Sequence, residues 1–254
     1  MQALTRRTFL THLGRGGIAI SVVSFVGSGR ALAQSPGMSP VASGLPAGSP
    51  GATAWHRVNL GFVSAYLLAR DGEVAVVDTG VEGSETAIGD GLTAIGLGWD
   101  AVGHIILTHQ HPDHAGSTTA VLEAAPLATG YAGAADIPGI TSPRPLTAVE
   151  DGEHVFDLRI VTTPGHTPGH IAVLDEIGGV LVAGDAVVTE GGVVALPPAE
   201  FTADMTEAMA SIAKLATFPF ETLLVGHGEP IEGGASEAVA ALAAAPVPSA
   251  SAAA

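Results

Sequence analysis

A chain of 254 residues, 47% apolar and only 13% charged, is long enough for one sizeable globular domain with a real core, and a wholly disordered protein is excluded. Nine Lys and Arg against 25 Asp and Glu give a formal charge of −16, the opposite of a phosphate-neutralising surface, so nucleic acid and anionic membrane are not expected partners. Cysteine is absent, which excludes disulfides, thiolate metal ligands, iron–sulfur clusters and a cysteine nucleophile, and leaves oxygen and imidazole to do any chemistry.

At the start of the chain, Thr5-Arg6-Arg7-Thr8-Phe9-Leu10 sets paired arginines before an apolar stretch, Gly16 to Val26, and Ala31-Leu32-Ala33 offers small residues at a processing point. No Asp or Glu occurs before Asp71. The segment resembles a twin-arginine export signal. That resemblance implies cleavage after Ala33, a periplasmic or extracellular destination, and a metal or cofactor acquired before export, since such routes carry folded proteins. Eleven residues of apolar stretch fall short of the roughly twenty a spanning helix needs, so no stable membrane anchor is expected after cleavage, and an uncleaved anchor is the weaker reading. An ordinary basic amphipathic terminus is the plainer alternative, but leaves the missing acids unexplained. Loss of residues 1–33 removes four arginines and leaves five basic residues against 25 acids, a formal −20.

Residues 34–54 read QSPGMSPVASGLPAGSPGATA, with no periodic apolar face, and are expected to form a flexible linker. Residues 245–254 have the same character, so the ordered domain is expected over 55–244. Within it, β-branched apolar runs predict strands at Phe62 to Ala69, Val74 to Val77, His104 to Thr108, Leu158 to Thr163, Ile171 to Leu174, Val180 to Ala183 and Thr222 to Val225. Ile88, Leu92 and Ile95 make a helical stripe after Ser84 as a possible N-cap, and Met205, Met209, Ile212 and Leu215 make another after Thr202; both stripes read as core packing. Early hairpins followed by strands mixed with helices predict a layered α/β protein.

The segment Thr108-His109-Gln110-His111-Pro112-Asp113-His114-Ala115-Gly116 follows an apolar strand and holds four potential metal ligands within six residues. Two-residue spacing in an extended loop points His109 and His111 to one side, where both can reach one ion. Pro112 then turns the chain, so that Asp113 and His114 can face a neighbouring position at a helix start. A histidine-rich loop arising by chance would explain this segment alone. Three more segments, however, end strands with a ligand-type residue beside Gly: Thr163-Pro164-Gly165-His166, Ala183-Gly184-Asp185 and Val225-Gly226-His227-Gly228.

The order His-x-His-x-Asp-His, Gly-His, Gly-Asp, Gly-His resembles the metallo-β-lactamase superfamily over the whole expected domain. The resemblance implies an αββα four-layer sandwich, an α/β fold with metals at one edge between the sheets. It implies His109, His111 and His166 at one metal, Asp113, His114 and His227 at a second, and Asp185 bridging them. Asp78, in Val77-Asp78-Thr79-Gly80, matches a supporting position. A sulfur-free set of seven ligands fits the dinuclear hydrolase pattern better than the cysteine-containing lactamase subclass. Nitrogen and oxygen donors suit two divalent zinc ions, with iron or manganese chemically open.

Two such cations bring a hydroxide into existence near neutral pH and hold the substrate oxygen as Lewis acids. Asp113 would orient that hydroxide and can pass its proton to the leaving group, and Asp78 would hold a ligand or the motif loop in place. The expected function is therefore metal-dependent hydrolysis of an ester, thioester, lactone or related small molecule. An oxygen-using or redox iron enzyme on the same fold is the alternative, although its flavoprotein relatives typically carry Glu at the place of His111, and a non-catalytic metal-binding protein is a third. His170 has no expected ligand role beyond strand packing or pocket lining, and His56, His104 and His154 read as structural or exposed. Gly191-Gly192 reads as either a turn or a mobile loop near the metals.

For the substrate, the resemblance works by exclusion. Glyoxalase II enzymes carry a basic C-terminal extension for glutathione, whereas this chain has only Lys214 beyond Arg159, so that activity is not expected. Persulfide oxidation is disfavoured by Ala186-Val187-Val188-Thr189-Glu190, where a glycine-cysteine-glycine-arginine segment would stand. Lactam turnover lacks a lysine for the substrate carboxylate, quorum-signal lactonases carry a tyrosine near the place of Val188, and nucleases need binding elements not seen here. Neutral or weakly polar substrates remain.

Overall fold

The computed structural model describes residues 54–245; the expected export signal, nearly all of the expected linker and the tail beyond Ala245 lie outside the described residues. The chain first lays down β1 (Ala54–Asn59), β2 (Ser64–Arg70) and β3 (Glu73–Val77). Helix α1 (Glu85–Ala94) leads to β4 (Val102–Leu107), and the short α2 (Pro112–Ala115) and α3 (Thr118–Ala124) lead to β5 (Thr129–Gly133) and β6 (Thr147–Val149). These strands form one sheet in the order β1-β2-β3-β4-β5-β6. The second half supplies β7 (His154–Val155), β8 (Leu158–Thr162), β9 (Ile171–Asp175), β10 (Val180–Val182), a small hairpin of β11 (Val188–Glu190) and β12 (Val193–Ala195), α4 (Met205–Leu215), β13 (Thr222–Leu224), β14 (Ile231–Glu232) and α5 (Ala235–Ala244). Its main sheet runs β14-β13-β10-β9-β8-β7.

The apolar runs are continuous because both faces of the central strands are buried, and alternate side chains go to different layers. Val74 and Val76 of β3, with Ile105 and Leu107 of β4, pack outward on Ile88 and Leu92 of α1 and Val121 and Leu122 of α3. Ala75, Val77 and Ile106 from the same strands pack inward on Ile160, Ile171, Val173 and Val182 of the other sheet. On the far side, Ala172, Leu174, Leu181 and Leu223 meet Ile212 and Leu215 of α4 and Val239 of α5. Helix, sheet, sheet and helix thus stack as the expected αββα sandwich. Each fully buried Leu or Ile contributes roughly 1.5–3 kcal/mol of transfer free energy. Packing of this size, not end-capping, holds α1 and α5, neither of which has a side-chain cap.

Several local expectations shift. Phe62 is not in a strand: Leu60 and Val63 close a turn through a 3.0 Å backbone bond, and the strand begins at Ser64. Ser84 has helical dihedrals and gives its N–H to Ser117 Oγ at 2.8 Å instead of capping α1. Asp204, not Thr202, caps α4 by accepting the N–H groups of Thr206 and Glu207. Gly191 and Gly192, at φ of +57° and +82°, form the two-residue turn of the β11–β12 hairpin, where two positive φ angles match the strand twist.

One topological fact positions the site. β3 and β4 run parallel, β10 and β13 run parallel, and β8 and β10 each run antiparallel to β9 and so share a direction. The carboxyl ends of all five strands therefore lie at a common edge within each sheet. Tyr66 joins the sheets there: burial pushes its phenol up to about 12, so it stays protonated and donates to the Val225 carbonyl at 2.8 Å. Among the described residues no helix is long and apolar enough to cross a membrane.

Candidate metal centre

Each of those five strands ends just before a residue singled out from the sequence. Asp78 follows β3, His109 and His111 follow β4, His166 follows β8, Asp185 follows β10 and His227 follows β13, while Asp113 and His114 sit on α2. The fold brings all eight together. His109, His111 and His166 form one group of converging donor atoms, Asp113, His114 and His227 another, and Asp185 joins His109 and His114 in a third. His111 Nδ1 lies 3.0 Å from His109 Nε2 and 2.9 Å from His166 Nε2. In the other group, His114 Nε2 is 3.4 Å from His227 Nε2, and Asp113 Oδ2 is 3.1 Å from His227 Nε2. Asp185 reaches both, its Oδ2 lying 3.5 Å from His166 Nε2 and 3.3 Å from His227 Nε2, and its Oδ1 3.3 Å from His114 Nε2.

Oxygen acceptors behind the rings decide which nitrogen carries the proton. Thr108 gives its N–H to Asp78 Oδ1 at 2.8 Å and its hydroxyl proton to the same carboxylate, so only its lone pair is left for His109 Nδ1 at 3.1 Å. His114 Nδ1–H donates to Asp78 Oδ2 at 2.7 Å, and His227 Nδ1–H donates to the Phe62 carbonyl at 2.7 Å. The Thr202 hydroxyl donates to the Pro198 carbonyl and offers its lone pair to His166 Nδ1 at 3.4 Å. Four rings thus present Nε2 to the centre, an arrangement that fixes ring orientation and raises ligand basicity. Asp78 serves both groups at once, from a left-handed backbone with φ of +64°.

Charge separates the two groups. Burial lowers His109 far below the ordinary imidazole range, lowers His111, and takes His166 down to about 4, so these three are neutral at pH 7. Burial also opposes protonation of His114, but Asp185 and Asp78 outweigh it and hold the ring well above its usual value. At His227 burial is again outweighed, here by Asp113 and Asp185, and the value rises to about 10. Burial would raise the two carboxyl groups, yet His227 keeps Asp113 low and His114 keeps Asp185 well below the usual range.

Some contributors carry no sequence signal. His170, expected only to pack or line the pocket, accepts the Asp185 N–H on Nε2 at 3.0 Å and gives its Nδ1–H to Thr163 at 2.7 Å, so it orients Asp185. Burial holds it far below the ordinary range, as that accepting role requires. Thr108, Thr202 and the Phe62 carbonyl act through contacts with residues that no spacing links to them, except Thr108 beside its ligand. His104 packs against Tyr131 and Phe156, and His154 is an exposed neighbour of Glu176.

The surroundings fit a pair of divalent ions. Nitrogens around a tetrahedral ion at 2.0–2.1 Å stand about 3.3 Å apart, close to the spacings of both groups. Asp185 Oδ1 is buried with no aligned hydrogen-bond donor among the described residues, although His114 stands near it. A Cβ on Gly226 would strike both Asp185 Oδ1 and the His114 ring, so the chain keeps that space clear.

Two measurements test this geometry. In the metal-free protein at pH 7, His114 and His227 each hold a proton that metal must expel, whereas His109, His111 and His166 hold none. Calorimetric titration in buffers of differing ionisation enthalpy should show about two protons released on filling both positions, and affinity should climb as pH rises from 7 toward the value of about 10 at His227. Proton-neutral uptake would contradict the charge assignment. Gly226 is not in the left-handed region, so Gly226→Ala should leave the fold intact while its methyl weakens at least one metal position by about tenfold or more; unchanged affinity would show that the gap serves another purpose.

The comparisons with known proteins agree with the geometry. The family model described as metallo-beta-lactamase superfamily matches residues 58–227. The chain is similar to an uncharacterised protein, YobT, of Bacillus subtilis strain 168, at 31% identity over 66% of this chain and 83% of that protein. It is similar to the probable metallo-hydrolase YflN of the same organism at 29% over 74% and 88%. A hydroxyacylglutathione hydrolase of Alkalilimnicola ehrlichii is 36% identical over 60% of this chain, which spans only 56% of that enzyme. Among solved structures, the metallo-beta-lactamase family protein TTHA1429 of Thermus thermophilus superposes with a TM-score of 0.60 at 26% identity over 72% of this chain and 73% of its own. TTHA1623 in a di-iron-bound form superposes with a TM-score of 0.56 at 27% identity over 67% and 89%. This chain belongs to the metallo-β-lactamase superfamily.

Proposed function

We propose that the protein is a zinc-dependent hydrolase acting on an ester, thioester, lactone or related bond in an uncharged small molecule. The observation that carries the reading is the pair of inward-facing ligand groups sharing Asp185. His109, His111 and His166 would hold one ion, Asp113, His114 and His227 the other, and Asp185 both. When bound, such ions supply Lewis acidity and bring the pKa of water near neutrality. The chain's own residues do the rest. Asp113, kept anionic beside His227, is placed to accept a proton from the attacking water and to return it to the leaving group, provided one oxygen stays free of ligation. Asp78 holds the His114 ring and, through Thr108, the His109 ring, while His170 holds the Asp185 backbone.

The choice of an uncharged substrate rests on where the positive charge goes. Arg57 faces Glu229, Arg70 faces Asp157 and Asp175, Arg159 faces Glu176, and Lys214 faces Asp151. Arg144 donates to the carbonyls of Leu122, Ala125 and Ala128. Every Lys and Arg side chain among the described residues is thus engaged, and a carboxylate-bearing substrate that drew on one would have to displace its present partner. The exposed Phe62 ring stacks on His227 with centroids 6.0 Å apart, which puts an apolar surface at the mouth of the centre. Similarity to a hydroxyacylglutathione hydrolase supports including thioesters. The di-iron form of TTHA1623 favours an iron-bound second reading, on which oxygen chemistry would replace hydrolysis.

The test is removal of metal followed by separate restoration of zinc, iron(II) and manganese, with a panel of neutral and anionic esters, thioesters, lactones and lactams. Hydrolysis should vanish on stripping, return most fully with zinc, and favour the neutral members. Turnover that survives stripping overturns the mechanism, and oxygen consumption with iron but no hydrolysis selects the second reading.

We also infer export by a twin-arginine route, supported by the Arg6-Arg7 pair and the apolar stretch after it. Replacing both arginines with lysine should retain the protein in the cytoplasm, and fractionation with N-terminal sequencing checks this; unchanged export through that route would refute it.

A further inference from the structure

The first metal position takes its ligands from two sheets: His109 and His111 follow β4 of one, and His166 follows β8 of the other. Between the two loops stands Asp136, completely buried in the segment after β5. Its Oδ2 accepts the N–H of Gln110 at 3.0 Å and the hydroxyl of Thr167 at 2.6 Å, and its Oδ1 accepts the N–H of Gly169 at 2.7 Å. Gln110 lies between His109 and His111, and Thr167 directly follows His166. A buried carboxylate is tolerated only where donors compensate its lost hydration. No ion pair to Asp136 exists among the described residues, so these donors carry that load.

A turn-forming aspartate would bond to its own neighbours. Asp136 instead reaches 26 residues back and 31 and 33 residues forward, in each case to a loop that bears ligands. The backbone is cut back to permit it: a Cβ on Gly169 would strike Asp136, and one on Gly133 would strike the Gly169 carbonyl. The geometry points to Asp136 as a positioning residue that clamps the His109–His111 loop to the His166 loop, and so sets the first metal position while leaving the second to other supports. His114 and His227 take theirs from Asp78 and the Phe62 carbonyl, neither of which Asp136 touches. The inference rests on the dinuclear reading above.

In Asp136→Asn the amide cannot accept at both former oxygens, and one NH2 group is turned toward an N–H or O–H donor. Full-length protein, stripped and titrated with Zn2+ against a chromophoric chelator, should bind two ions tightly as wild type. In Asp136→Asn one ion should be held as before and the other about 10–100-fold more weakly. A double-mutant cycle assigns the loss: Asp136→Asn should add little to His166→Ala but act in full beside His227→Ala. Thr167→Val should show part of the effect and Thr167→Ser should restore it, and this pair decides the matter should Asp136→Asn not fold. Asp175 is an equally buried carboxylate, bonded to Trp55, Arg70 and Gly178 on the body of the sheet; Asp175→Asn should lower the melting temperature yet keep both ions. Both ions held normally by Asp136→Asn, both weakened alike, or equal metal loss in Asp175→Asn would overturn the clamp while leaving the hydrolase reading in place. A wild-type chain that takes up no metal overturns both.

Discussion

Everything at the carboxyl edge of the two sheets answers to one electrostatic constraint: imidazole lone pairs and two carboxylates are crowded into buried space, where like charge and unpaired acceptors are expensive. Positive charge has to be present. Without metal, His114 and His227 retain protons against the pull of burial, since Asp78, Asp113 and Asp185 surround them. Two protons exchanged for one divalent ion leave the local charge unchanged. The other group has no such reserve, because burial has already driven His109, His111 and His166 neutral. An ion entering there adds charge near Asp185, the only carboxylate within ion-pair distance of His109 and His166 among the described residues. Asp185, within ion-pair distance of rings in both groups, is therefore the element through which the two positions would depend on each other.

The sandwich meets that constraint by making the site from strand ends instead of one flexible loop. Parallel strands buried on both faces leave little freedom to β3, β4, β10 and β13, and their final residues inherit that rigidity. A second tier of oxygen acceptors then removes what freedom the imidazole rings retain. Thr108 shows the economy of this tier, since one residue next to a ligand passes the influence of Asp78 on to His109. Glycine does the complementary work at Gly226, where any side chain would occupy the space between His114 and Asp185.

How far this was legible in the sequence follows from the range over which each feature acts. The central strands declare themselves as apolar runs because both faces are buried, and the ligand cluster declares itself because its spacing is local. β5, Thr-Gly-Tyr-Ala-Gly, and the short edge strands β6, β7 and β14 offer too few apolar residues for either signal. The alanine-rich α5 has no sharply polar face from which a periodicity could be read. Asp136 stands in Ala-Ala-Asp-Ile-Pro and looks like a turn aspartate; only the folded chain shows its partners lying in two distant loops. His170 reads as a residue of strand packing or pocket lining, and it is buried accordingly; what the sequence does not announce is that its accepting nitrogen holds the Asp185 backbone.

Ligands alone do not choose a reaction, and the surroundings supply what selectivity the chain has. A protein with so large an acidic excess can still hold an anion where a cation is kept in reserve, but the lysine and arginines among the described residues face acids or carbonyls. Among the described residues the centre itself is then the attraction left for an anionic group, and Asp113 and Asp185 would offset about half of the charge that two divalent ions bring. On the proposed reading of an uncharged substrate, binding energy comes from apolar contact of the kind Phe62 offers beside His227, a contact indifferent to the leaving group. On that reading the site would discriminate by shape and hydrophobicity more than by charge. The same reasoning explains why residues that set ligand spacing matter here: with little electrostatic grip on the substrate, placement of the reacting groups has to come from the rigidity of the centre.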